Sequence, residues 1–445
     1  MMTTVRNMED RSMGYFYFIA LVAALGGGLF GYDTAVISGT ISMVVAQFGL
    51  TPSMEGTYVG CALIGSIAGV VSSGLLFEGG GRKRSLIIAS VLYTVSAAGC
   101  AISNSFASLV LFRIVGGVGI GISAVVAPAY ISEIAPARHR GRLVSLYQLA
   151  VTIGFLAAYV VNYFLLEYSL EATGCRSALC TKIFIGECWR GMLLAEALPA
   201  ALFIVLLFFI PESPVWLSMK GREKQSLRAE FKIISRPPIL GAVLIGAAIA
   251  ILGQFMGVNA VLYYGPSIFE KSGLASGDSL FYQVLVGLVN VITTIIAFFI
   301  IDRVGRKRLV YFGVTGMIAA LLGIAWYFQF GQGLSNYILL TLFLLYIFFC
   351  AISICAVIFV LLAEMFPSRV RGIAMSVAEL ALWIGTWLIG QLTPIFLEVL
   401  KPQGTFLLFA VICVPYILIV WKLIPETTGK SLEEIEAYWY DKRAN

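Results

Sequence analysis

The chain has 445 residues, of which 60% are hydrophobic and only 12% charged. A soluble domain carries roughly 25% charged residues, so this composition excludes a water-soluble fold of the same length. The net charge of +6 does not indicate nucleic acid. The basic residues gather in short gaps between apolar runs, at Arg82–Arg84, Arg138–Arg142, Lys220–Arg236, Arg303–Arg308 and Arg369–Arg371, which is the positive-inside pattern of a membrane protein.

A helix needs ~20 apolar residues to cross about 30 Å of hydrocarbon. Twelve such runs follow one another, at roughly 14–38, 56–77, 85–104, 107–131, 143–166, 191–210, 239–266, 280–301, 309–329, 337–366, 373–397 and 404–424. The chain therefore reads as an all-α membrane protein in a lipid bilayer. Twelve is even, and the basic gaps follow the second, fourth, sixth, eighth and tenth runs, which places both termini on the cytoplasmic side of a cell membrane.

Taken in order, the first run holds Gly26–Gly28, Gly31 and Asp33 near its expected outer end. The fourth holds Gly116, Gly117, Gly119, Gly121 and Arg113, and small residues let membrane helices approach closely. An ionisable group in hydrocarbon costs ~2.5–3.5 kcal/mol on insertion scales, so Asp33 and Arg113 are expected to pair. Two readings of that pair stand: a permanent tie between two helices, or a carboxylate that takes up a proton and releases the guanidinium. The loop before the sixth run carries Cys175, Cys180 and Cys188, which leaves room for a disulfide with the pair unassigned.

The segment 211–238 is the most hydrophilic and ends in Pro237–Pro238. It reads as a short cytoplasmic linker between an N-terminal bundle, 1–210, and a C-terminal bundle with tail, 239–445. Later runs carry uncharged polar groups: Gln254 and Asn259 in the seventh, Asn290 in the eighth and Gln391 in the eleventh, to be set beside Gln148 in the fifth. Tyr263, Tyr264, Trp383 and Trp387 stand near several of them. Amides donate and accept hydrogen bonds together, and aromatic faces suit the C–H faces of a sugar ring. This mixture without net charge suits a neutral polyhydroxylated solute, although hydrogen bonding between helices uses the same residue types.

The two parts repeat one another. SEIAPARHRG at Ser132–Gly141 returns as AEMFPSRVRG at Ala363–Gly372, and GGRKRSL at Gly80–Leu86 returns as VGRKRLV at Val304–Val310. Self-similarity at one long period indicates two pseudosymmetric six-helix bundles. The repeats place Arg82, Glu133 and Arg140 against Arg306, Glu364 and Arg371 as a candidate inner gating network. Exposed pairs contribute only ~0–1 kcal/mol each, so such a network acts as a set. The single histidine, His139, lies in a basic loop. No nucleophile–base pair, metal cluster or phosphate loop is present, so neither enzymic chemistry nor a metal or cofactor is expected.

The strings GGGLFGYDTAVISGT at Gly26–Thr40, SEIAPARHRG, PESPVWL at Pro211–Leu217, GQFMGVNAVLYYGPSIFE at Gly253–Glu270, DRVGRKR at Asp302–Arg308 and PETTGKSLEE at Pro425–Glu434 resemble the sugar porter family of the major facilitator superfamily. The resemblance is closest to bacterial xylose-type proton-coupled symporters and covers nearly the whole chain. It implies a major facilitator fold and transport of a monosaccharide by alternating access with proton symport. Asp33 would then be the coupling carboxylate and Arg113 its partner. Gln148, Gln254, Asn259, Tyr263, Asn290 and Trp383 would line the sugar site with Phe30 nearby, and the inner arginines and glutamates would form the gate.

Several positions depart from the family. Gly253 stands in place of a glutamine, and Leu382 in place of Asn or Gln. The helix-10 signature Gly-Pro followed by a tryptophan reads Cys355-Ala356 and then Phe359, and Phe155 replaces a glutamine of the xylose type. Losing buried amides removes hydrogen bonds of ~0.5–1.5 kcal/mol each. A sugar or polyol such as inositol, carried without protons, is the alternative in the same class, and a non-transporting sugar sensor is the alternative in another. A monomer is expected.

Overall fold

The computed structural model describes residues 13–136, 139–172, 177–219, 237–331, 333–366 and 371–424. Every regular element among them is helical, and twelve helices are long and apolar enough to cross a membrane. We number these α1 Met13–Phe48, α2 Pro52–Ser73, α3 Arg82–Ile102, α4 Phe106–Ile134, α5 Arg140–Glu171, α6 Cys188–Phe208, α7 Ile239–Lys271, α8 Ser276–Ile301, α9 Arg306–Phe330, α10 Asn336–Leu362, α11 Ile373–Val399 and α12 Lys401–Leu423. All twelve expected runs are helical. The chief difference is at α1, which continues to Phe48 and so places Asp33 near mid-helix rather than near its end.

That extension has a physical cause. Gln47 Oε1 accepts a 2.7 Å hydrogen bond from the Trp189 indole, and Phe48 packs on the rings of Trp189 and Phe106. The polar residues at the end of α1 therefore find partners that a hydropathy scan does not anticipate. Beside them, Arg190 is buried and donates to Glu187, to Ser103 O and to Ala101 O at 2.9 Å, closing the carboxyl end of α3.

The chain forms two compact units. The first comprises Met1–Arg222 with Tyr263–Glu270 and Ala275–Gly287; the second comprises Glu223–Leu262, Lys271–Leu274 and Leu288–Asn445. In the first unit, α1 packs on α5, and α2 on α4. A Cβ on Gly31 would meet the backbone of Val151, and one on Gly154 the backbone of Gly28, so these glycines set the α1–α5 approach. The last part of α7, Tyr263–Glu270, belongs to this unit, and its Glu270 accepts from Ser42 on α1 at 2.6 Å and from Ser276 at 2.7 Å. In the second unit, α12 packs on α9 and α11 on the first part of α7.

Three helices are interrupted. α6 is divided into Cys188–Leu194 and Ala197–Phe208, α7 into Pro237–Phe255 and Val258–Lys271, and α10 at Ser353 between Asn336–Ile352 and Ile354–Met365. Each interruption adjoins residues singled out below. Of the expected linker, Pro214–Met219 forms a short helix, and residues 220–236 lie outside the described chain. Cys180 and Cys188 are free thiols, Cys188 Sγ lying 3.3 Å from Met43 Sδ. Cys175 lies outside the described residues.

Candidate functional site

Asp33 on α1 and Arg113 on α4 meet as the sequence suggests. They are 0% and 2% exposed, and Arg113 Nη1 donates to Asp33 Oδ1 while Nη2 donates to the Asp33 carbonyl at 3.1 Å. The structure adds a third member. Glu196, 2% exposed, stands in the interruption of α6 with its carboxyl beside that of Asp33. Among the described residues, Asp33 Oδ2, Glu196 Oε1 and Arg113 Nε have no hydrogen-bond partner. A buried polar atom without a partner costs ~1–3 kcal/mol, and here such atoms occur on two neighbouring carboxyls and on the guanidinium beside them.

A cavity of about 10 Å³ adjoins this cluster, lined by Arg113 with Thr34, Ile37, Leu63 and Tyr263 among others. That volume is at the lower limit for one water molecule. Tyr263, expected in the sugar set, thus stands beside the ionisable cluster. Glu196 was legible by the same signal as Asp33, a carboxylate inside an apolar run, and belongs with it.

The uncharged set is partly assembled. Gln254 Oε1 accepts from Asn259 Nδ2 at 2.6 Å and from Thr386 Oγ1 of α11 at 3.1 Å. On a continuous helix, residues five apart are turned about 140° from one another. The interruption after Phe255 allows the Gln254–Asn259 bond. Trp383, 4% exposed, lies one turn before Thr386 and bonds the carboxyl of Glu379, a second intramembrane acid absent from the sequence reading. Glu379, Trp383 and Thr386 follow at helical spacing along α11. Asn290 is buried on α8, whereas Gln148 and Phe30 are half-buried in the first unit. The side chain of Phe359 lies outside the described residues.

At the start of α3, Arg82 clasps Glu133 of α4 through Nη2 at 2.7 Å and Nε at 3.0 Å. The PESPVWL segment completes this group. Ser213 donates to Glu133, and Glu212 Oε1 accepts from the backbone of Arg82 at 2.9 Å and Lys83 at 3.1 Å. A carboxylate here satisfies amide groups left open at a helix start and complements its dipole. Arg140 is exposed at the start of α5, and among the described residues no ion pair joins it to Glu133. Arg306 is half-exposed at the start of α9, and the side chains of Glu364 and Arg371 lie outside the described residues.

The repeat seen in the sequence has structural counterparts. Gly81 and Gly305 precede α3 and α9 with φ of +91° and +95°, a region that favours glycine. The lysines that follow also correspond. Lys83 Nζ donates to Phe208 O at 3.2 Å at the end of α6, and Lys307 Nζ to Trp421 O at 3.2 Å and Ile424 O at 2.8 Å at the end of α12.

At the opposite end of the first unit, Glu187 precedes α6. Burial pushes its carboxyl up, but hydrogen bonds from Arg190 and Gln47 and the charges of Arg190 and Lys182 prevail and hold it below the usual range.

A family profile described as sugar (and other) transporter matches residues 19–237 and again 231–439. The chain is 34% identical to the arabinose-proton symporter of Bacillus subtilis, across 97% of this chain and 96% of the relative. It is 37% identical to a glucose transporter of Staphylococcus epidermidis (94% and 96% covered) and 34% identical to the D-xylose-proton symporter of Escherichia coli (96% of each). An inward-open structure of the xylose transporter of Escherichia coli superposes with a TM-score of 0.80 at 33% identity, covering 96% of this chain and 100% of that one.

Proposed function

Because the chain belongs to the family of sugar (and other) transporters, we propose that it carries a monosaccharide across the membrane by alternating access in symport with protons. Its fold is the major facilitator architecture of twelve helices, so it is a multi-pass membrane protein. The observation that carries the coupled reading is the buried Asp33–Arg113–Glu196 cluster, with two carboxyls for one guanidinium. Ionising both acids there leaves an uncompensated charge in a dry site, which is costly. One proton on the pair removes it and supplies a donor for the oxygens that lack one. Loss of that proton returns Asp33 to full competition for Arg113, and the changed pairing biases the direction in which the carrier faces.

Gln254, Asn259 and Trp383, with Thr386, supply the sugar-binding polar groups and aromatic face of the second unit. Gln148, Phe30, Asn290, Tyr263 and Phe359 complete the proposed lining. The clasp of Arg82 on Glu133, with Arg140 and the corresponding Arg306, Glu364 and Arg371, serves as the inner gate. The chain acts as a carrier rather than an enzyme, as a monomer in the cell membrane, with both termini cytoplasmic and bundles 1–210 and 239–445 joined by 211–238.

A second reading has support from one observation: Arg113 also holds the Asp33 carbonyl, as a purely structural tie would. Uptake of labelled xylose, arabinose, glucose and inositol into liposomes, with and without an inward proton gradient, separates the two. Gradient-driven accumulation that disappears in Asp33→Asn is the expected result. Equal downhill flux in all conditions would make the protein an uncoupled facilitator.

A further inference from the structure

The interruption of α10 brings two thiols together. Ser353 has φ −115° and ψ −86°, outside the helical region, with Cys350 before it and Cys355 after it. Their Sγ atoms are 3.7 Å apart. As at Gln254 and Asn259, side chains five residues apart would diverge by about 140° on a continuous helix, so the break itself creates this contact. The two environments differ: Cys350 is 1% exposed, while Cys355 is half-buried. Across from the break, a Cβ on Gly253 of α7 would lie 3.8 Å from Ile354. The glycine therefore leaves this part of α10 less covered than a longer side chain would.

A more accessible thiol with a second thiol in contact behind it is the arrangement of a reacting and a resolving cysteine. We propose that Cys350 and Cys355 are a site of reversible oxidation that closes a disulfide across the break of α10 when hydrogen peroxide is present. The Cys355 sulfur attacks one peroxide oxygen, the O–O bond breaks, and a sulfenic acid forms with release of one water. The Cys350 sulfur then attacks the sulfenic sulfur, the S–O bond breaks, the S–S bond forms, and a second water leaves. The thiol protons end in the two waters, and the two electrons lost by the sulfurs reduce the peroxide. Bond formation draws the sulfurs together, a movement taken up at the non-helical backbone of Ser353 between them. The bridge then holds the break in one geometry. Its effect on transport rests on the function proposed above, whereas its formation does not. Cys413 of α12 neighbours Cys350 and is the competing partner.

The full chain in liposomes, treated with hydrogen peroxide, alkylated at its remaining thiols and digested for mass spectrometry, tests the proposal. The expected product is a peptide bridged between Cys350 and Cys355 and restored by dithiothreitol, with sugar uptake reduced several-fold and recovered on reduction. Cys350→Ser should form no bridge, leave Cys355 open to dimedone and retain most of its uptake under peroxide. Cys413→Ser should form the bridge as wild type does, which controls for disturbed packing. Thiols that stay free under peroxide, or a Cys355–Cys413 or Cys350–Cys413 bridge, would overturn the site. An equal loss of uptake in Cys350→Ser would overturn its assigned effect. Untreated protein that takes up no sugar would refute the transport reading instead, and the bridged peptide would still decide this one.

Discussion

Arg113 holds Asp33 with a second buried carboxyl, Glu196, close by, so deleting it should be worse than neutralising the group. Removing one partner of a buried pair costs ~3–5 kcal/mol. Arg113→Ala should therefore lower the unfolding temperature in detergent markedly, and Asp33→Asn/Arg113→Leu should recover much of the loss. Neither variant should accumulate sugar on a proton gradient. Glu196→Gln should fold and exchange sugar across liposomes while losing gradient-driven accumulation, because the amide cannot release a proton. Glu187, just before α6, behaves differently. Its lowered pKa contributes stability that is present above the unfolded carboxylate value and is lost as pH falls through the folded one. The unfolding temperature should thus fall in that acidic window, and Glu187→Gln should flatten the profile there. Asp33 and Arg113 were legible as lone charges in apolar runs. Glu196 gave the same signal, but its neighbour could not be read from the chain, because the break in α6 decides where its carboxyl lies.

The helices themselves were legible because each run is long enough to span, whereas their interruptions were not. Phe255–Met256–Gly257 and Ser353 lie inside continuous apolar stretches, where hydropathy has no feature to mark a break. Yet the breaks make the contacts that matter, between Gln254 and Asn259 and between the α10 thiols. If the Gln254–Asn259–Thr386 group binds sugar, Asn259→Ala should remove one amide and release another. At ~0.5–1.5 kcal/mol per hydrogen bond, sugar affinity should fall by roughly 2- to 12-fold, read as KM for uptake with little change in expression. An unchanged KM would place these amides in helix packing alone. The extension of α1 to Phe48 was missed for a related reason. Residues such as Gln47 look like loop until Trp189 and Glu187 are brought against them.

Across the molecule, the internal repeat was the most informative sequence feature, and it survives as backbone geometry at Gly81 and Gly305 and as paired lysine contacts. Lys83→Ala and Lys307→Ala should have similar small effects, about 1 kcal/mol or less, on thermal unfolding. Arg82→Ala should cost more, since it leaves Glu133 without its clasp. What the repeat did not disclose is the role of Pro211–Leu217, which reads as the start of a linker and yet completes the Arg82–Glu133 group of the first unit. Glu212 binds the backbone of Arg82, 130 residues earlier in the chain, and Ser213 bonds Glu133. This imposes an order on synthesis. The ribosome has made all six helices of the first half, with Arg82 and Glu133 among them, before Glu212 and Ser213 exist, so until Ser213 emerges that clasp stands without the two residues that complete it. Chains released just before Pro211 should be cleared by membrane proteases, and chains extended past Met219 should persist.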